Sequence, residues 1–108
     1  MAIPREISEQ LCAGGGVDGL QRQIPSNEDL SFQARFHHAL SDPVRLKILY
    51  ALQTQPLCVC VIKEIISIAD SRLSYHLNVL KTAGLISGAQ QGNWIIYTIT
   101  DFGRSGLR

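Results

Sequence analysis

The chain has 108 residues, 45 % of them hydrophobic and 18 % charged, with a net charge of +1. This suits one folded domain and excludes a solvated tail or a strongly polyionic protein. A monomer of this size buries only about two thirds of its chain surface, so an added dimer interface is expected.

Residues 1–25 read as a flexible N-terminal arm, because Gly14-Gly15-Gly16, Gly19 and two prolines fall among scattered charges. A short helix over Glu6 to Cys12 fits the spacing of Ile7 and Leu11. Residues 26–108 form the domain. Ser26 and Asp29 make a capping box for a helix that carries Phe32, Phe36, Ala39 and Leu40 on one face. Asp42-Pro43 restarts the chain as cap and first helical residue. Val44, Ile48 and Leu52 then form one stripe, widened by Leu46 and Leu49. A third core helix is expected from Val59 to Ser67, with Val61, Ile62, Ile65 and Ile66 at core spacing. The turn Ile68-Ala69-Asp70 leads to a fourth, Ser71 to Ala83, ended by Gly84. Leu85 to Ser87 and Trp94 to Thr100 read as two strands around Gln90-Gln91-Gly92-Asn93, with Trp94 and Tyr97 as anchors of the hairpin. Eight residues after Thr100 are too few for a long terminal helix. The expected fold is mainly α with a small β-hairpin, a winged helix-turn-helix, homodimeric.

Leu73, Leu77 and Leu80 point one face of the fourth helix inward, at about 100° per residue. The other face presents Ser71, Tyr75 and Asn78, flanked by Arg72 and Ser74. These types suit bases and phosphates: Arg reads guanine, Asn reads adenine, and Ser and Tyr reach backbone oxygens. His76 has two readings, a hydrogen-bonded structural residue or a phosphate contact. Lys81 adds charge. Between Ser71 and Thr100 there is no Asp or Glu, so this surface is free of acid. In the wing, Gln90, Gln91 and Asn93 can touch phosphates without releasing counterions. Binding per protomer is then modest, and a symmetric dimer on palindromic double-stranded operator DNA is the expected geometry.

No run approaches the 18 apolar residues of a spanning helix, and no secretory signal opens the chain, so a cytoplasmic protein without a membrane partner is expected. Cys12, Cys58 and Cys60 do not make a disulfide framework and are expected reduced. There is no nucleophile with a base, no phosphate loop and no carboxylate pair at useful spacing, which argues against an enzyme.

The segment from His37 to Tyr97 resembles the ArsR/SmtB family of metal-responsive winged-helix repressors. The residues that carry the resemblance are Ala39-Leu40-Ser41-Asp42-Pro43-Val44-Arg45-Leu46-Lys47-Ile48-Leu49, Leu57-Cys58-Val59-Cys60 and Ser71-Arg72-Leu73-Ser74-Tyr75-His76-Leu77-Asn78-Val79-Leu80. Ala83-Gly84-Leu85-Ile86 and Gly92-Asn93-Trp94-Ile95-Ile96-Tyr97 complete it. The resemblance implies a homodimer that represses transcription and leaves its operator when an inducer binds. It implies no constitutive cofactor. Cys58 and Cys60 are similar to the Cys-Val-Cys element of arsenic-, antimony-, cadmium- and lead-responsive members, so As(III), Sb(III) or another thiophilic ion is the implied inducer. Two positions depart from the pattern. Val61 stands where an acidic residue usually follows, and Lys63 where some arsenite sensors carry a third thiol. An N-terminal Cys12, reaching the pair of the same or the other subunit, completes a three-sulfur set by the same resemblance. The family's other site, on a terminal helix, has no sequence to sit on here. Two further readings of the thiols stand beside this one: a redox- or sulfur-responsive pair, and inert cysteines in a constitutive DNA-binding module. His37 and His38 are adjacent and read as packing or surface residues. In a regular helix, side chains two apart diverge by about 200°, so an ion shared by Cys58 and Cys60 is expected to unwind or distort the first turn.

Overall fold

A computed structural model describes residues 2–108 as two compact units, the first ending at Phe32 and the second running Gln33–Arg108. In the first, α1 (Arg5–Ala13) and α2 (Gly16–Gln23) are joined by Gly15, whose φ of 90° suits a residue without a Cβ. Gly19 lies against the Gly14 carbonyl, where a Cβ would collide. The short helix expected over Glu6 to Cys12 lies within α1, and the glycines join it to α2. The boundary expected at residue 25 precedes α3 (Asn27–Leu40), and the units divide within that helix.

The capping signals act as read. Ser26 Oγ accepts from the Asp29 amide at 3.2 Å. Asp42 Oδ1 accepts from the Val44 amide at 2.8 Å, with Pro43 opening α4 (Pro43–Thr54). A two-residue strand β1 (Leu57–Cys58) then precedes α5 (Val59–Ile66). Ser67 ends α5 with a left-handed φ of 57°, donating its amide to the Lys63 carbonyl at 2.8 Å. After this turn, α6 (Asp70–Thr82) begins one residue before the expected start and stops at Gly84, where φ is 79°. The hairpin is β2 (Ile86–Gln91) and β3 (Trp94–Ile99), longer than expected, so Gln90 and Gln91 belong to a strand. Gly92, at φ 60°, opens the two-residue turn. A short α7 (Asp101–Ser105) follows, capped by Thr100, whose Oγ1 accepts from the Gly103 amide at 2.9 Å.

The sheet has three strands in the order β1-β3-β2, all antiparallel. Leu57 pairs with Tyr97 and Cys58 with Ile96, a pairing the sequence reading did not contain. The core gathers Ile48, Leu49 and Leu52 of α4, Ile62 of α5, Leu73 and Leu80 of α6, and Leu85. Burying each such side chain contributes about 1.5–3 kcal/mol. Two expectations fail on α5. Val61 and Ile65 are each 42 % exposed, because the eight-residue helix presents only Ile62 and Ile66 inward. Among the described residues no helix is long and apolar enough to cross a membrane.

Candidate nucleic-acid interface and thiol pair

The buried face of α6 is Leu73, His76, Leu77 and Leu80, and that choice decides what remains outside. Ser71, Arg72, Ser74, Tyr75, Asn78 and Lys81 are all exposed. Six of the seven residues expected to read DNA from this helix therefore share accessible surface. His76 is the exception. It is 4 % exposed, with Nδ1 3.0 Å from Arg45 Nη1 and its ring edge-on to Tyr75. A buried ring held from within does not reach a phosphate, so its structural reading stands and its DNA contact does not. Burial lowers its pKa first, the Asp42 charge opposes this, and Arg45 and Arg72 lower it further. The net shift keeps the ring neutral at pH 7.

On the wing, Gln90, Gln91 and Asn93 are exposed. Gln90 spends one amide hydrogen on the Gly92 carbonyl at 3.0 Å. Tyr97 is half-buried against the core, but Trp94 is 60 % exposed and anchors nothing there. It stands on the hairpin beside the turn, opposite Gln91.

The thiols sit where β1 becomes α5. Cys58 is the N-cap of α5, with extended backbone at φ −77° and ψ 160°, and Cys60 is the second helical residue. An N-cap lies outside the helical screw, so the 200° divergence of two helical neighbours does not apply. The two Sγ atoms are in direct contact, 2.6 Å apart. The expected unwinding is corrected by this geometry: both sulfurs already face one point. The contact also splits their acidity. The Cys60 thiol, followed by the Val61 backbone amide, holds the Cys58 pKa below the ordinary value. The same contact with Cys58, then burial and the charge on Cys58, raises that of Cys60. Of the two, Cys58 is the thiol that ionises more readily.

Cys60 borders two open grooves. One, of about 430 Å³, is also lined by Lys63, Glu64, Ser67, Ile68 and Ala69. The other, of about 390 Å³, has walls of Val59, Asn93, Trp94 and Ile95. Lys63 is ion-paired with Asp70 across the helix-turn-helix turn. Cys12 is exposed on α1, in the other unit. His37 and His38 are exposed on α3. Among the described residues, no three His, Cys, Asp or Glu side chains converge on one point that could hold a metal ion. The donor set is thus two soft sulfurs, with room beside them.

Two positions escaped the sequence reading. Arg45 is buried, although its spacing to Ile48, Leu49 and Leu52 already places it on the core face of α4. Trp94 lines the groove beside Cys60, and only the pairing of β1 with β3 brings it there.

Residues 42–87 match the family described as "Bacterial regulatory protein, arsR family". The arsenical resistance operon repressor of Bacillus subtilis (strain 168) is 43 % identical over 70 residues, covering 64 % of this chain and 67 % of that protein. The cadmium resistance transcriptional regulatory protein CadC of Listeria innocua is 39 % identical over 95 residues, covering 87 % and 80 % respectively. Among solved structures, the homodimeric winged helix-turn-helix DNA-binding domain of Mb0332 from Mycobacterium bovis superposes with a TM-score of 0.68. That pair is 27 % identical and covers 78 % of this chain and 82 % of that one. Fold, exposed α6 face and sequence agree: the chain belongs to the ArsR family of bacterial regulatory proteins, DNA-binding transcriptional repressors of winged helix-turn-helix build and not enzymes.

Proposed function

We propose that this protein is a homodimeric repressor that holds a palindromic operator through α6 and the wing and releases it when a thiophilic ion binds Cys58 and Cys60. Arsenite or antimonite is the favoured inducer. The observation that carries this reading is the contact between the two Sγ atoms at the junction of β1 and α5. Soft thiolates select soft ions, and the relatives include an arsenical and a cadmium resistance regulator. A trivalent metalloid takes three donors. Cys12 is the remaining thiol, and the Glu64 carboxylate lines one groove with Cys60. In the cytoplasm the thiols are reduced and ready.

The site also offers a route to the DNA. Cys58 is paired with Ile96 on the central strand of the wing sheet, while Cys60 lies in the first helix of the helix-turn-helix. An ion held between the two sulfurs acts on both DNA-facing parts. A coupling of about 1–3 kcal/mol is enough to relieve repression. A second reading, a redox switch, is favoured by the split acidity of the same pair. An oxidant taking two electrons and two thiol protons would join the sulfurs.

The test is release of a duplex that the protein itself selects from a random-sequence pool. Arsenite, antimonite, cadmium and zinc are titrated, then diamide. Trp94, the single tryptophan and a wall of the Cys60 groove, reports occupancy by its fluorescence. Release with arsenite at stoichiometric ion, with a change in Trp94 emission, is expected. Release by cadmium alone moves the inducer, release by diamide alone favours the redox reading, and no release by any leaves the thiols inert.

The proposed dimer uses α3, with Phe32 and Phe36, as its partner surface. Phe36 is backed by Phe102 of α7 at a ring separation of 4.6 Å. Sedimentation at micromolar concentration should give about twice the 11.9 kDa chain mass. A monomer that keeps specific operator binding contradicts the arrangement.

A further inference from the structure

The two buried polar side chains among the described residues, Arg45 and His76, are bonded to each other. Arg45 Nε donates to the Ala39 carbonyl at 2.8 Å and Nη2 to the His38 carbonyl at 3.0 Å. Both carbonyls belong to the last turn of α3, and that of His38 also accepts from the Ser41 amide at 3.1 Å and the Ser41 hydroxyl at 2.6 Å. The third bond, from Nη1, goes to His76 Nδ1 at 3.0 Å, halfway along α6. A guanidinium has no acceptor and keeps its proton, so Nδ1 must accept. The ring is therefore the neutral Nε2–H tautomer.

We propose that Arg45 and His76 are positioning residues for DNA reading, a clamp that fixes the rotation of α6 against the end of α3. The proposal rests on α6 being the reading helix. Leu73, Leu77 and Leu80 hold α6 by contacts that have no direction, so they resist rotation and sliding weakly. The Arg45 bond has direction. Base-reading groups tolerate only about 0.5 Å and 10–20° of misplacement. The neighbouring Tyr75 ring, 5.3 Å from His76 between centroids, lies on the reading face and turns with the clamp.

Protonation of His76 makes Nδ1 a donor facing the donor Nη1, and the bond is lost. Arg45 and Asp42 act on the ring from α4 and its cap, and Arg72 from α6, while α3 contributes the His38 and Ala39 carbonyls. Burial leads in favouring the neutral ring, so the unfolded chain takes up the proton first as pH falls. The stability contribution is then complete above the ordinary His value of about 6.5 and declines below it, and reading is lost as pH falls further, through the lowered value of the folded ring.

The experiment compares wild type with Arg45→Lys, His76→Leu and His76→Asn, whose Oδ1 keeps an acceptor near Nδ1. Each is titrated with the selected duplex and a scrambled one, from pH 5.0 to 7.5, with helix content followed by circular dichroism. Arg45→Lys and His76→Leu should lower the selected-to-scrambled affinity ratio about tenfold, with scrambled binding unchanged. A role in folding alone lowers both affinities by one factor and leaves the ratio intact. Wild type should lose about tenfold in the ratio toward pH 5.0, while His76→Asn holds most of the neutral-pH ratio and stays flat in acid. An unchanged ratio in His76→Leu, or the same acid decline in His76→Asn as in wild type, overturns the clamp. If His76→Leu does not fold, the asparagine comparison decides. If wild type selects no sequence at all, the reading of α6 itself has failed.

Discussion

Removing the side chains of Arg72, Tyr75 and Asn78 together should lower affinity for the selected duplex by a hundredfold or more. Each direct base contact contributes about 1–3 kcal/mol, and about 1.4 kcal/mol is a factor of ten. All three side chains are exposed, while Leu73, Leu77 and Leu80 on the opposite face carry the packing of α6. The Arg72→Ala, Tyr75→Ala, Asn78→Ala variant should therefore melt near the wild-type temperature. Arg72→Ala alone should cost about 1–3 kcal/mol if its fork meets a guanine, and should relax selectivity at that base pair. The wing adds little compensation, because Gln90, Gln91 and Asn93 carry no charge. Wild-type affinity in the triple variant, with its helix content intact, would remove α6 as the reading helix.

The second large effect is expected at the thiols. Cys58→Ser with Cys60→Ser should bind the duplex as wild type does and no longer release it with arsenite. The response falls from a coupling worth about 5–150-fold to none. Serine is close to cysteine in size and is itself a favoured N-cap residue, so α5 should start where it does now. Cys12→Ser separates two compositions of the site: a small loss means two sulfurs suffice, an equal loss means the arm supplies the third. The response should also weaken in acid. Ion binding displaces protons from sulfur, so affinity falls as pH drops. The Cys60 thiol and the Val61 amide hold the Cys58 pKa down, which carries its competence below that of a free thiol. Full release by arsenite from the double serine variant would falsify the thiol site.

Most of the architecture lay in local signals. Ser26, Asp42-Pro43 and Gly84 mark helix ends because capping is settled within three or four residues. The leucines of α6 select its buried side by periodicity alone, which left the reading face legible before any fold was known. The motif run from Ala39 to Tyr97 carried the family.

What the sequence did not determine depended on partners far along the chain. β1 exists because Leu57 meets Tyr97, a pairing across some forty residues with no local mark. That strand takes Cys58 out of the helix, so two thiols that periodicity sets apart come into contact. Val61 and Ile65 share the helical period of Ile62 and Ile66, yet only one side of a short helix meets the core. His76 was legible as a residue at the edge of the inward face. Its burial followed only from Arg45, whose guanidinium finds its three acceptors on two other elements. A helical period shows which side chains share a face. Whether that face meets core, solvent or a buried charge is settled only when the other elements close over it.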